Sequence, residues 1–235
     1  NIALSLNAAG KEYGGISPAD LAANKWKNDA TGTAYTWKSI TVAFPSAQAA
    51  ITWASANNTA AAAVTNIEIS GNNDAADLLL LNTLRANDGT GYFPALDSIS
   101  LPSQTGEFPK DCFYVSSGYN SWLKAISLPQ VTSMGNFAFM DCTALESISL
   151  PQVTSMRNSA FASCSALASV SLPQVTSIGG TAFYNCTALE SISLPRLTSM
   201  GNQAFMGCTA LTSIHLPASL SSIDQNPFKG CSQLA

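Results

Sequence analysis

One 22-residue pattern, repeated in step through the second half of the chain, decides what this sequence can fold into. Pro129, Pro151, Pro173, Pro195 and Pro217 stand 22 residues apart. Cys142, Cys164, Cys186 and Cys208 keep the same step, and Cys231 follows after 23. A leucine lies three residues past each of these cysteines: Leu145, Leu167, Leu189, Leu211 and Leu234. A fixed period of this size marks a solenoid, whose units are too small to bury an apolar face alone and do so only against their neighbours.

A single unit shows how each coil is made. In Leu145-x-x-Ile148-x-Leu150 the alternation suits a short strand with Ile148 and Leu150 inward and Ser147 and Ser149 outward. Pro151 stops that strand, having no N–H for a ladder. Val153 and Met156 turn inside across the next bend. Ala160-Phe161 then sits on a short helical or 3₁₀ turn, and Cys164 closes the coil. Phe139, Phe161, Phe183, Phe205 and Phe228 form one column, and Met134, Met156, Ile178, Met200 and Ile223 another. Six strands stacked about 4.8 Å apart give a parallel ladder roughly 24 Å long. Its inner face must be covered, and the phenylalanine column covers it.

The Leu-x-x-Ile-x-Leu opening, the 22-residue period and the tail Ala-Phe-x-x-Cys-x-x-Leu together resemble the BspA-like leucine-rich repeats. The stretch GNQAFMGCTALTSIHLP (201–217) is a close match to that pattern, and the resemblance covers 96–235, about 60% of the chain. It implies an α/β solenoid: a right-handed leucine-rich-repeat superhelix with short parallel strands on its concave face and an N-terminal α/β cap. It also implies a bacterial surface or secreted protein, often one concerned with adhesion, and hence an extracellular or cell-surface location.

Ahead of the repeats, 1–63 reads as a non-repeat helix/strand/helix region. Ser17-Pro18 starts a helix running to Lys27, Tyr35 to Phe44 alternates as a strand ended by Pro45, and Ser46 caps a helix carrying Ala50, Ile51 and Trp53. Asn57 to Ala63 reads as a connector. Three of the four tryptophans lie here, so this part has its own small core or packs on the solenoid. Residues 64–95 read as the cap: a strand closed by Gly71, then a helix from Asp74 to Ala86 with Leu78, Leu81 and Leu84 at helical spacing. Residues 96–235 are the solenoid, about six units.

The first unit is irregular, since Pro102 to Pro129 spans 27 residues. Aligning Phe113 with its column leaves an insertion near Ser116 to Asn120 and puts Cys112 at the small alanine position. The insertion carries Tyr114, Tyr119 and Trp122, which either fold back over the cap junction or form a contact site for a glycan. The last unit ends where another strand is due. If that end is bare, its edge invites association with a second copy.

Composition removes several function classes. Charged residues make up only 10% of the chain against the usual quarter, and the net charge is −4 with ten scattered Lys plus Arg. A nucleic-acid partner needs a basic stripe, and there is none. No apolar run reaches the 18 or so residues of a membrane span. The chain opens at Asn1 with neither methionine nor secretory signal, and reads as a mature or trimmed form.

The six cysteines lack the close pairs of a zinc site, so no metal or cofactor is expected. They read as a ladder of buried, reduced thiols acting as small hydrophobes. Cysteine or serine catalysis needs a nearby base. The one histidine, His215, faces outward, away from the cysteine column. Glu146 and Glu190 stand two coils apart, about 10 Å, which resembles an inverting carboxylate pair; register alone accounts for the spacing. A non-enzyme is expected.

What remains is surface. The outward strand positions Ser147, Ser149, Ser169, Ser171, Ser191, Ser193 and His215 form a flat, nearly uncharged lane. Concave solenoid faces commonly bind partners. This one lacks the aromatic and arginine anchors of hot spots, so it is either a weak or multivalent contact face or simply soluble and unobstructed. The expected function is a protein-interaction or adhesion module binding an unidentified host or bacterial protein. The alternatives are a structural spacer for another domain and a glycan-binding module using the insertion.

Overall fold

The computed structural model describes residues 2–6, 12–16, 37–85, 91–115 and 118–234. The described residues form two sheets, of which the larger runs from the first strand to the last repeats and the smaller accompanies the repeats alone. The larger has ten strands in the order β15-β13-β11-β9-β7-β5-β4-β3-β1-β2. Six of them are the repeat strands: β5 (Ser98–Ser100), β7 (Ala125–Ser127), β9 (Ser147–Ser149), β11 (Ser169–Ser171), β13 (Ser191–Ser193) and β15 (Ser213–His215). They pair in parallel at equivalent positions, Ile192 beside Ile214 and Ser193 beside His215. The leucine after each strand extends the ladder: the N–H of Leu128 donates to the Ser149 carbonyl at 3.1 Å. Proline follows that leucine, where the missing donor costs no ladder bond.

The second sheet is absent from the sequence reading. Its six short strands are β6 (Gly106–Phe108), β8 (Val131–Met134), β10 (Ser155–Met156), β12 (Ser177–Ile178), β14 (Ser199–Met200) and β16 (Ser222–Ile223), parallel throughout. They occupy the bend at Val153 and Met156, and their inner residues are the methionine and isoleucine column. Most are two residues long, too short to show any alternation.

The third side of each coil is a run of tight turns, in keeping with the short helical or 3₁₀ turn expected at Ala160-Phe161. Single i→i+3 bonds close it, such as Cys142 N–H to the Phe139 carbonyl at 3.2 Å. Coil-to-coil bonds tie the turns together, among them Phe139 N–H to Ala160 at 2.8 Å and Phe161 N–H to Ala182 at 2.8 Å. Two files of left-handed residues make the corners. One is Asp111, Phe137, Ser159, Thr181, Gln203 and Asn226; the other is Asp141, Ser163, Asn185, Gly207 and Gly230. Phe137 and Thr181 are costly choices there, since a bulky or branched side chain at φ 57° or 53° crowds its own backbone.

Between the sheets lies one apolar core, continuous from Val42 to Leu211. The phenylalanines form a single interior file. Ring centroids are 5.2 Å apart for Phe139–Phe161, 5.5 Å for Phe161–Phe183 and 5.2 Å for Phe183–Phe205, with planes within 8° of parallel. Phe113 begins the file, 5.3 Å from Phe139, and Phe228 ends it at 5.8 Å. Each ring adds about 0.5–1.5 kcal/mol of stacking to the stabilisation from burial.

The region before the repeats joins the same sheet. Strand β3 (Trp37–Phe44) pairs in parallel with β4 (Asn66–Ile69), and β4 with β5. The strands β1 (Ile2–Leu6) and β2 (Glu12–Ile16), which alternation did not reveal, complete the edge, β1 antiparallel to β3 and β2 antiparallel to β1. Ser46 caps α1 (Ala47–Ala56), its Oγ accepting from Ala49 N–H at 3.1 Å. The expected connector contains a short helix, α2 (Asn58–Ala61). Asp74 caps α3 (Ala75–Leu79), which tightens into a 3₁₀ turn over Leu80–Thr83 and buries Leu78, Leu81 and Leu84. The helix expected from Ser17 to Lys27 lies outside the described residues.

Candidate functional site

The outward positions of the repeat strands form the lane that the alternation predicts. Ser147, Ser149, Ser169, Ser171, Ser191, Ser193 and His215 are all exposed, while Ile148, Val170 and Ile192 between them are buried. Two shallow grooves run along the lane. One, about 510 Å³, spans Asn66, Ser98, Ala125 and Ser147; the other, about 340 Å³, spans Ser169, Ser171, Ser191 and Ser193.

The lane is flanked on one side by Asp97, Lys124, Glu146 and Glu190. Lys124 lies 3.8 Å from Asp97. Burial raises the Asp97 carboxyl above its ordinary value, a shift opposed by the Lys124 and Arg85 charges and reinforced by Glu146. On the other side Arg196 donates to Gln174. Such exposed pairs hold little stability and leave the face almost neutral.

The insertion behaves differently from the serines. Trp122 is 3% exposed and meets Phe113 edge-on at 6.1 Å, so it belongs to the core and not to a surface site. Tyr114 is half-buried, with its carbonyl accepting from Asn82. Tyr119 alone of the three is strongly exposed, at 60%. The three aromatics therefore make no common platform: the chain turns Trp122 inward to fill the place of the small residue before the leucine column.

Asn120, which the sequence reading passed over, organises this junction. Three residues before Leu123, it stands in the cysteine column of the first coil. It is fully buried, and its Oδ1 accepts from the N–H groups of Trp122 and Leu123 while its Nδ2 donates to Asn82 at 3.2 Å. That bond, with the Cys112 thiol donating to the Leu78 carbonyl at 3.2 Å, links the first coil to the segment before it. The signal in the sequence is the spacing Asn120-x-x-Leu123, which the four-residue insertion obscures.

The cysteines are free, and all but Cys231 are buried. They are more than small hydrophobes. The thiols of Cys164, Cys186, Cys208 and Cys231 each donate at 3.1 Å to the carbonyl of the phenylalanine one coil back. That carbonyl already accepts the N–H of its own coil's cysteine, so the thiol takes its second lone pair. Burial pushes the Cys142, Cys164 and Cys186 thiols well above the ordinary range and Cys208 up to about 12. A nucleophilic thiolate needs the opposite environment. His215 is exposed on the lane, apart from this interior column.

Gly179 is half-buried at a turn between coils. An added Cβ would stand 2.6 Å from the Arg157 backbone. Among the described residues no group of three or more His, Cys, Asp or Glu is placed to hold a metal ion, and no helix is long and apolar enough to cross a membrane.

The BspA type leucine-rich repeat region profile matches residues 117–235 in six copies. The chain belongs to this family. Among solved structures, the BspA-type solenoid here is similar to a leucine-rich cell surface protein from Faecalibacterium prausnitzii, with 28% identity over 74% of this chain and 42% of that one, at a TM-score of 0.54. It is likewise similar to a leucine-rich repeat protein from Bacteroides ovatus, with 25% identity over 83% of this chain and 47% of that one, at a TM-score of 0.53. The chain thus spans less than half the length of either protein. No curated protein sequence matches it.

Proposed function

We propose that this protein is a non-enzymatic interaction module displayed outside the cell, which docks a host or bacterial macromolecule along the serine lane. The observation that carries this reading is the in-register outer face of the larger sheet. Five successive repeat strands present small, uncharged side chains over two grooves, half-buried on β5 and β7 and exposed on β9, β11 and β13, on a backbone fixed by the core beneath. Preorganisation of this kind lowers the ordering cost of binding. Without aromatic or arginine anchors each contact is weak, so useful strength comes from many coils engaging together. The likeness to a leucine-rich cell surface protein supports the location.

The test is surface plasmon resonance against a panel of purified extracellular glycoproteins and bacterial surface proteins. The comparison is wild type against the triple variant Ser169→Glu, Ser171→Glu, Ser191→Glu. The expected result is a partner whose binding falls at least about tenfold in the variant, equal to roughly 1.4 kcal/mol. Equal binding by both proteins would remove the lane from the site and leave the solenoid as a spacer.

A further inference from the structure

The coils carry a second depression, away from the serine lane. It follows the corner between the phenylalanine turn and the strand, with a volume of about 600 Å³. A column of hydroxyls from successive coils lines it, Thr143, Ser165, Thr187 and Thr209, with Ser163 and Asn185 beside them and exposed Tyr119 among the lining side chains. Gly207 leaves space for the Asn185 amide, whose oxygen an added Cβ would approach to 2.1 Å. None of the lining residues is charged.

These hydroxyls differ from the threonine column beside the second sheet. There Thr154, Thr176 and Thr198 donate to the carbonyl one coil back at 3.1, 3.1 and 2.9 Å. In the groove the corresponding bonds of Ser165, Thr187 and Thr209 stretch to 3.4, 3.5 and 3.5 Å. That is the outer limit of hydrogen bonding, so these hydroxyls turn toward an incoming partner at little cost. The main-chain N–H groups of Thr143 and Ser165 are already committed, to Asp141 and Ser163 at 2.9 Å each. Between those two coils the groove therefore offers side-chain hydroxyls but not the open backbone that a peptide strand requires, and an amide and an aromatic ring stand beside them.

We propose that this groove binds an extended, neutral polysaccharide. The tyrosine ring packs against the C–H face of one sugar, and the hydroxyls and Asn185 exchange hydrogen bonds with sugar hydroxyls. Coils advance by about 4.8 Å each, commensurate with one hexose of an extended chain, so the three steps from Thr143 to Thr209 span about 14 Å. A net charge of −4 disfavours an anionic glycan.

The experiment is native electrophoresis through gels containing hydroxyethyl cellulose, galactomannan or soluble starch. At least one of the three is expected to retard the wild-type protein. Tyr119→Ala should weaken that retardation about tenfold and Tyr119→Phe should retain it. Thr187→Val should weaken it to a lesser degree. Circular dichroism checks that each variant is folded. The serine-lane triple variant should migrate like wild type, which separates this groove from the lane: either can fail without the other. No retardation of the wild-type protein by any of the three polymers, or equal retardation of wild type and Tyr119→Ala, overturns the proposal.

Discussion

Raising the pH should unfold this protein through its interior thiols. Cys112, Cys142, Cys164, Cys186 and Cys208 are buried, and burial pushes each thiol above its ordinary value of 9.0. The folded form therefore holds its protons when the unfolded chain releases them. With the folded pKa raised, the contribution is fully present below pH 9 and is lost as the pH rises toward the folded values. At pH 10 each unfolded thiol gains about 1.4 kcal/mol by ionising, and five together give about 7 kcal/mol, comparable to the whole stability of a typical domain. The assay is urea unfolding followed by circular dichroism from pH 8 to pH 10 with reductant present. Tyrosine and lysine titrate in the same range, so the decisive comparison is the Cys164→Ala, Cys186→Ala double variant. Its pH-dependent loss should be smaller by about 3 kcal/mol, whatever its stability at pH 8. An identical loss in both proteins would refute the reasoning.

Other perturbations read different parts of the stack. Phe161→Ala leaves a hole between two parallel rings and should cost about 3–5 kcal/mol by urea unfolding; a cost under about 1 kcal/mol would mean the file does not hold the coils together. Gly201→Ala forces a methyl group to within 2.5 Å of the Gly180 nitrogen, and should cost at least about 2 kcal/mol by the same measurement. Asn120→Ala strands the N–H groups of Trp122 and Leu123 in the core, and about 2–4 kcal/mol should be lost together with protection from hydrogen exchange in the first coil. Among the described residues β15 and β16 are the last strands of their sheets, and Ile223 within β16 is 50% exposed. Light scattering should therefore show concentration-dependent dimers that Ile223→Lys suppresses; a strict monomer at high concentration contradicts this.

The parts of the fold that were legible in the sequence are those that repeat and are apolar. Phe139, Phe161, Phe183 and Phe205 announce their stack because a constant 22-residue step superimposes them, and Phe228 joins after a step of 23. The second sheet was hidden because strands such as Ser155–Met156 and Ser177–Ile178 are two residues long and show no alternation. The left-handed corners were hidden for another reason. Phe137, Ser159, Thr181 and Gln203 are not residue types that signal positive φ, and the Asp, Asn and Gly residues that do hold only some places in each file, so neither shows as a column. At the candidate site the serines were legible, since alternation around Ile148, Val170 and Ile192 puts them outside. Trp122 was not, because a four-residue insertion breaks the alignment that would have shown it next to the leucine column.

The cysteine column and Asn120 answer the same structural demand by different chemistry. At this corner a buried main-chain group lacks part of its hydrogen bonding, and the side chain in the column must supply it without leaving a polar atom unmatched. Within the stack the need is one donor for the second lone pair of a phenylalanine carbonyl, which a thiol meets at little desolvation cost. In the first coil the insertion frees two N–H groups, so the column needs an acceptor, and a carboxamide supplies one. Its spare N–H₂ would then be buried without a partner, except that Asn82 of the preceding segment offers its oxygen. The exchange of cysteine for asparagine is thus possible only at the coil that meets this segment, which is why the buried polar residue marks the junction where the repeats begin.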